Sequence, residues 1–138
     1  MKIEKIVKKS FETYEFPLSE TEIEDILKKL PSKDLEGLEK VIITPPIKNE
    51  DFKRFGRYEK GKILLFAHQK KDENFIIELG YQVTVRLTPK DFKNRAIQAV
   101  LHETGHHVGI KNFGDSSETF ANDYQSENLR KYFLHLLE

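Results

Sequence analysis

The sequence predicts an α+β fold in which N-terminal helices come first, a small, twisted and mostly antiparallel sheet follows, and further helices close the chain. Two observations carry this expectation. Apolar residues recur at helical spacing, change to a strand-like pattern near residue 40 and return to helical spacing near residue 89, with prolines at the changes. No internal repeat, low-complexity tract or Gly/Ser linker divides the 138 residues. A single domain over 1–138 is therefore expected, with 1–35 as helical scaffold, 40–125 as core and 126–138 as a C-terminal helix.

Ile3, Ile6, Val7, Ser10, Phe11 and Tyr14 recur at helical spacing until Pro17, which predicts a first helix. A second starts at Ser19, where Glu22 completes a capping box and Ile23, Ile26, Leu27 and Leu30 make one apolar stripe before Pro31. The run VIIT at 41–44, ended by Pro45 and Pro46, predicts a short buried strand. FKRFGRYEKG is polar and is expected as loop. KILLFAH at 62–68 predicts a second strand; FIIEL and YQVTVRL, around Gly80, supply further strand, read as one bulged strand.

Thr88 and Pro89 open a helix expected to run to about Val108, with Thr88 as cap. Gly109 and Gly114 bracket an expected loop, and a helix restarts near Ser116. A last amphipathic segment carries Leu129, Tyr132, Phe133, Leu136 and Leu137.

Composition excludes several function classes. Lys plus Arg equal Asp plus Glu at 23 each, so no net field recruits nucleic acid or anionic lipid. The absence of cysteine excludes disulfides, iron–sulfur clusters and a thiol nucleophile, and leaves His, Asp and Glu as the only metal ligands. No stretch approaches a membrane span and the N-terminus lacks the apolar run of a signal segment, so a soluble, cytoplasmic protein is expected.

The chemistry concentrates in LHETGHHVGIKN at 101–112. Residues four apart share a helix face, so His102 and His106 can aim a ring nitrogen at one point. Glu103, offset by about 100°, can reach a water on the metal without being a ligand. A catalytic zinc takes three protein ligands and leaves a position open. Asn112 stands where the longer HExxHxxGxxH pattern wants its third ligand, and the only methionine is Met1, so that arrangement is rejected. Glu118 in SSETFANDYQ is the better third ligand, on a helix turned back across the first. Asn122, four residues on, is the expected hydrogen-bond partner of a ligand histidine. Asp115 and Asp123 compete, the first as a loop or cap residue and the second on another face.

HETGHH and ETFAN together resemble the gluzincin metallopeptidases, specifically the minigluzincins and the ImmA/IrrE-type peptidases. The matching residues are His102, Glu103, His106, Glu118, Ala121 and Asn122, within about residues 40–125. Larger gluzincins carry an aspartate at the position of Asn122. The resemblance implies an endopeptidase with one Zn2+ per chain, Glu103 as general base, and a peptide or protein substrate, the chain itself included, pairing with an edge strand for which KILLFAH is the candidate. It also implies an oxyanion donor: Tyr124 is chosen over His107 and Tyr132, with His107 left as an exposed helix residue. His68 and His135 are expected as surface or hydrogen-bonded residues. The apolar stripe from Leu129 to Leu137 is expected as a packing face; the competing idea is that LRKYFLHLLE folds over the cleft and holds the protein latent. The competing expectation is a metal-stabilised peptide-binding or regulatory protein with little or no peptidase activity.

Overall fold

Residues 1–137 of the computed structural model are described; Glu138, the end of the expected C-terminal helix, lies outside the described residues. They form an α+β arrangement of two four-stranded sheets and three α-helices. In the first sheet, β1 (Lys2–Lys5), β3 (Lys40–Thr44) and β5 (Lys62–Phe66) run parallel, and β4 (Gly56–Glu59) joins β5 antiparallel at the edge. The second sheet, β2 (Tyr14–Glu15), β6 (His68–Lys71), β7 (Asn74–Gly80) and β8 (Val83–Leu87), is antiparallel throughout. The chain passes between the sheets at Ala67. The helices are α1 (Glu20–Lys28), α2 (Pro89–Phe113) and α3 (Glu118–Leu136).

The expected first helix is replaced by β1, one 3-10 turn at Lys9–Phe11, and β2. Its apolar residues include the β-branched Ile3, Ile6 and Val7, and β3 offers them an open edge: the Ile6 N–H donates to the Ile43 carbonyl at 2.8 Å. Long-range ladder bonds override a local period. The second helix forms as its cap dictates, with Ser19 Oγ accepting from Glu22 N and Ser19 N donating to Glu22 Oε1, both at 3.1 Å. Its Ile23, Ile26 and Leu27 enter the core with Val41, Ile43, Ile63 and Leu65 of the sheet and Ala96, Ile97, Val100 and Leu101 of α2. Each such aliphatic side chain contributes about 1.5–3 kcal/mol on burial.

β4 lies inside the segment expected as loop. It joins β5 through Lys60 and Gly61, both at positive φ (45° and 82°), the conformation of a two-residue primed hairpin turn. Of KILLFAH, Lys62–Phe66 is consequently an interior strand and His68 begins β6 in the other sheet; β4 is one edge of the first sheet and β1 the other. A four-residue polar edge strand carries no alternation that would reveal it. FIIEL and YQVTVRL form a hairpin turning at Tyr81–Gln82, with a register shift between Glu78 and Gly80, rather than one bulged strand.

Asp91 N donates to Thr88 Oγ1 at 3.1 Å, so α2 starts where expected. It continues beyond Val108 to Phe113 and ends at Gly114, which takes φ 63°. A mid-helix glycine costs about 1 kcal/mol against alanine. Gly109 is nevertheless required, because a Cβ there would stand 2.5 Å from the Asp115 carbonyl oxygen and 2.8 Å from Phe120 Cδ1. The glutamate helix and the C-terminal helix are one element, α3, with Ser117 Oγ accepting from Phe120 N. No helix among the described residues is long and apolar enough to cross a membrane.

Candidate metal centre

The site forms where α3 crosses α2. A Cβ on Gly105 would stand 3.1 Å from Ala121 Cα and 3.0 Å from Tyr124 Cβ, so these helices meet nearly backbone to backbone. That approach brings the first turn of α3 onto the histidine face of α2. His102 Nε2 lies 2.9 Å from Glu118 Oε2, and His106 Nε2 lies 3.0 Å from Glu118 Oε1. The three ligand atoms fall within 4.8 Å of one another, a group that can hold a metal ion.

The hydrogen bonds fit a cation. His102 Nδ1 stands 2.9 Å from Gln125 Oε1, and Gln125 Nε2 donates to Gln98 Oε1 at 3.2 Å, which fixes the amide with its oxygen towards the histidine. The proton on Nδ1 leaves the Nε2 lone pair facing a carboxylate, and two acceptors are compatible at that distance only with a shared cation, proton or metal. Tetrahedral zinc with bonds of about 2.0–2.1 Å holds its ligand atoms roughly 3.3 Å apart, within a few tenths of an ångström of the Nε2–carboxylate spacing.

Gln125, rather than Asn122, is the residue on His102. Asn122 is exposed. Seven helix residues bring Gln125 back within about 20° of Glu118, whereas four leave Asn122 about 40° off, so the i+7 spacing carries the signal that was missed.

Tyr124 does not face the metal centre. Its hydroxyl donates to Asp34 Oδ2 at 2.9 Å, and burial together with that carboxylate pushes its pKa up. Tyr132 packs on the hydrophobic core. His107 is buried rather than exposed: Nε2 donates to the Glu36 carbonyl at 2.8 Å, and Nδ1 accepts from Tyr58 Oη at 2.7 Å. Both ring nitrogens are satisfied within the fold. His68 is buried and donates from Nε2 to the Arg54 carbonyl at 2.7 Å.

Glu103 is buried against β4, where a Cβ on Gly56 would stand 3.1 Å from its Cγ. Burial, then the negative charge of Glu118, pushes its pKa up to about 8, against the pull of Arg54, Arg57 and the Tyr58 backbone N–H. A cation between the three ligands would act in the opposite sense.

Glu103, His102, His106 and Glu118 border a cleft of about 630 Å³ between β4, α2 and α3, with Arg54, Arg57 and Arg95 on its walls. Among the described residues none beyond Gln125 lines it. The C-terminal part of α3 turns Leu129 and Tyr132 onto the core instead of covering the cleft. Apolar surface there is buried at lower cost against α1 than across a polar cleft.

Comparison with known protein families, curated proteins and solved structures finds no match for this chain.

Proposed function

We propose that the protein is a zinc-dependent endopeptidase of gluzincin type that hydrolyses peptide or protein substrates. One observation carries this reading: two imidazoles and a carboxylate converge, and a second carboxylate, Glu103, stands buried beside them between the ligand helix and a free strand edge. His102, His106 and Glu118 would hold the ion. When bound, zinc supplies Lewis acidity, polarising a carbonyl and bringing the pKa of a coordinated water towards neutrality. Glu103 takes the proton of the attacking water and delivers it to the leaving amine. The outer edge of β4 pairs with an extended substrate through main-chain hydrogen bonds, which aligns its carbonyl without demanding a particular side chain.

The test is zinc content by elemental analysis beside cleavage of an unstructured protein. Wild type is expected to hold one zinc per chain. His106→Ala and Glu118→Ala lose it, and Gln125→Leu weakens affinity by about 10–100-fold. Glu103→Gln keeps zinc and loses cleavage by about 10²–10⁴-fold. A zinc-loaded wild type whose peptide binding is unchanged by Glu103→Gln, and which cleaves nothing, would instead favour a metal-stabilised peptide-binding protein. No bound zinc would end both readings.

A further inference from the structure

We propose that Arg54 and Arg95 form a carboxylate-binding subsite in the cleft, which takes peptides bearing a carboxylate two or three residues to the C-terminal side of the bond to be cleaved. The proposal rests on the peptidase reading above and adds a substrate class to it.

The chain as a whole is neutral, so a local excess of cations has to be placed by the fold. Three guanidiniums line the cleft, and they are not equivalent. Arg57 is spent on the protein itself: its Nε lies 3.4 Å from Oδ1 of the fully buried Asp51, and its Nη1 lies 3.1 Å from Glu59. Arg54 also feels the charge of Glu103, but among the described residues its one carboxylate within ion-pair distance is Glu50, at 4.0 Å and with both side chains well exposed, a pair worth little in water. Arg95 is exposed and has no carboxylate within ion-pair distance among the described residues. Two guanidiniums are thus available to a ligand.

They lie at the same end of the cleft. β4 follows α2 in the same sense: the Phe55 ring sits 5.7 Å from Phe92, Gly56 abuts Glu103, and the Tyr58 ring is 5.5 Å from His107. Arg54, just before β4, therefore stands near the level of Arg95, both ahead of the metal ligands. Arg95 precedes His102 by seven residues, about 10 Å along the helix axis. An extended peptide covers that distance in about three residues. Antiparallel pairing is slightly more stable per residue than parallel pairing. A strand added antiparallel to β4 directs its C-terminal side towards Arg54 and Arg95. The carboxylate is either an acidic side chain or the free C-terminus of a short peptide.

The zinc-loaded Glu103→Gln protein, which binds without cutting, allows the test by fluorescence anisotropy. Three labelled peptides share one sequence: one has Glu at the third residue past the scissile position, one has Gln there, and one ends there in a free carboxylate. At least one carboxylate peptide is expected to bind roughly tenfold tighter than the Gln peptide, and the ratio narrows as salt rises. Which of the two binds tighter identifies side chain or terminus as the source. Adding Arg54→Gln and Arg95→Gln, with folding checked by thermal melting, brings the ratio close to one. Equal affinity for all three peptides, binding of none, or a ratio untouched by the arginine changes would overturn the subsite. Zinc content and wild-type cleavage on the same preparations separate the two claims: cleavage without a carboxylate preference removes the subsite alone, and a chain that takes up no zinc removes the peptidase reading with it.

Discussion

His68 shows what a single buried titratable ring contributes. It is 1% exposed, packed between Phe55 and Phe92 with ring centroids at 5.7 and 5.5 Å. Burial lowers its pKa from 6.5 to about 4, opposed by its bond to the Arg54 carbonyl. Below pH 6.5 the unfolded chain takes up a proton that the folded chain refuses until about pH 4. The contribution of the neutral ring to stability is therefore complete above pH 6.5 and is lost as pH falls towards 4. By linkage, His68 costs about 2–3 kcal/mol between pH 7 and 4.5. His68→Gln, less stable at pH 7, should lose correspondingly less over that interval. Urea midpoints of both proteins at the two pH values decide it, and equal losses would show that His68 does not titrate this way.

At the scale of elements, glycines rather than ligands set the geometry of the centre. Gly105 and Gly109 lie on the face of α2 that α3 crosses; a Cβ at Gly105 would be in tight contact, and at Gly109 there is no room for one. Gly109→Ala would push against the Asp115 carbonyl and the Phe120 ring, and Ser117 and Glu118 lie between these two residues in the chain. Overpacking of this kind costs about 1–3 kcal/mol, more than the helix propensity of alanine returns. The variant should melt lower in zinc-free buffer and also bind zinc more weakly, since Glu118 is displaced from the histidines. Thermal melting with and without zinc checks both effects. An alanine variant as stable as wild type would mean that the crossing is looser than these contacts. The sequence marks Gly109 as a glycine but suggests a loop, because a local pattern cannot distinguish a helix-ending glycine from one that admits a neighbouring helix.

At the scale of the molecule, the C-terminal segment is placed by the core and not by the cleft. Leu129 and Tyr132 pack on the core, whereas Phe133, Leu134, Leu136 and Leu137 remain exposed. Ending the chain after Phe133 should change melting by only a few degrees and leave zinc content and cleavage as in wild type. A severalfold gain in cleavage on truncation would show that the segment restrains the cleft after all.

What the sequence determined by itself is local. The Ser19 capping box, the Thr88–Pro89 helix start and the alignment of His102 with His106 depend on hydrogen bonds and helical repeats spanning three or four residues. Glu118 was legible as a candidate because a serine cap restarts a helix after a loop long enough to turn it back across the first. Tertiary structure decided the rest. It turned residues 2–5 into a strand because β3 had an edge to fill, made the polar segment before Gly61 the free strand beside the cleft, and gave His102 to Gln125 rather than Asn122. It also directed Tyr124 to Asp34 and left Arg54 and Arg95 facing one space. Those pairings join residues far apart in the chain, and their distances follow from how closely α2, α3 and β4 pack at Gly105, Gly109 and Gly56. No period within one segment records that packing.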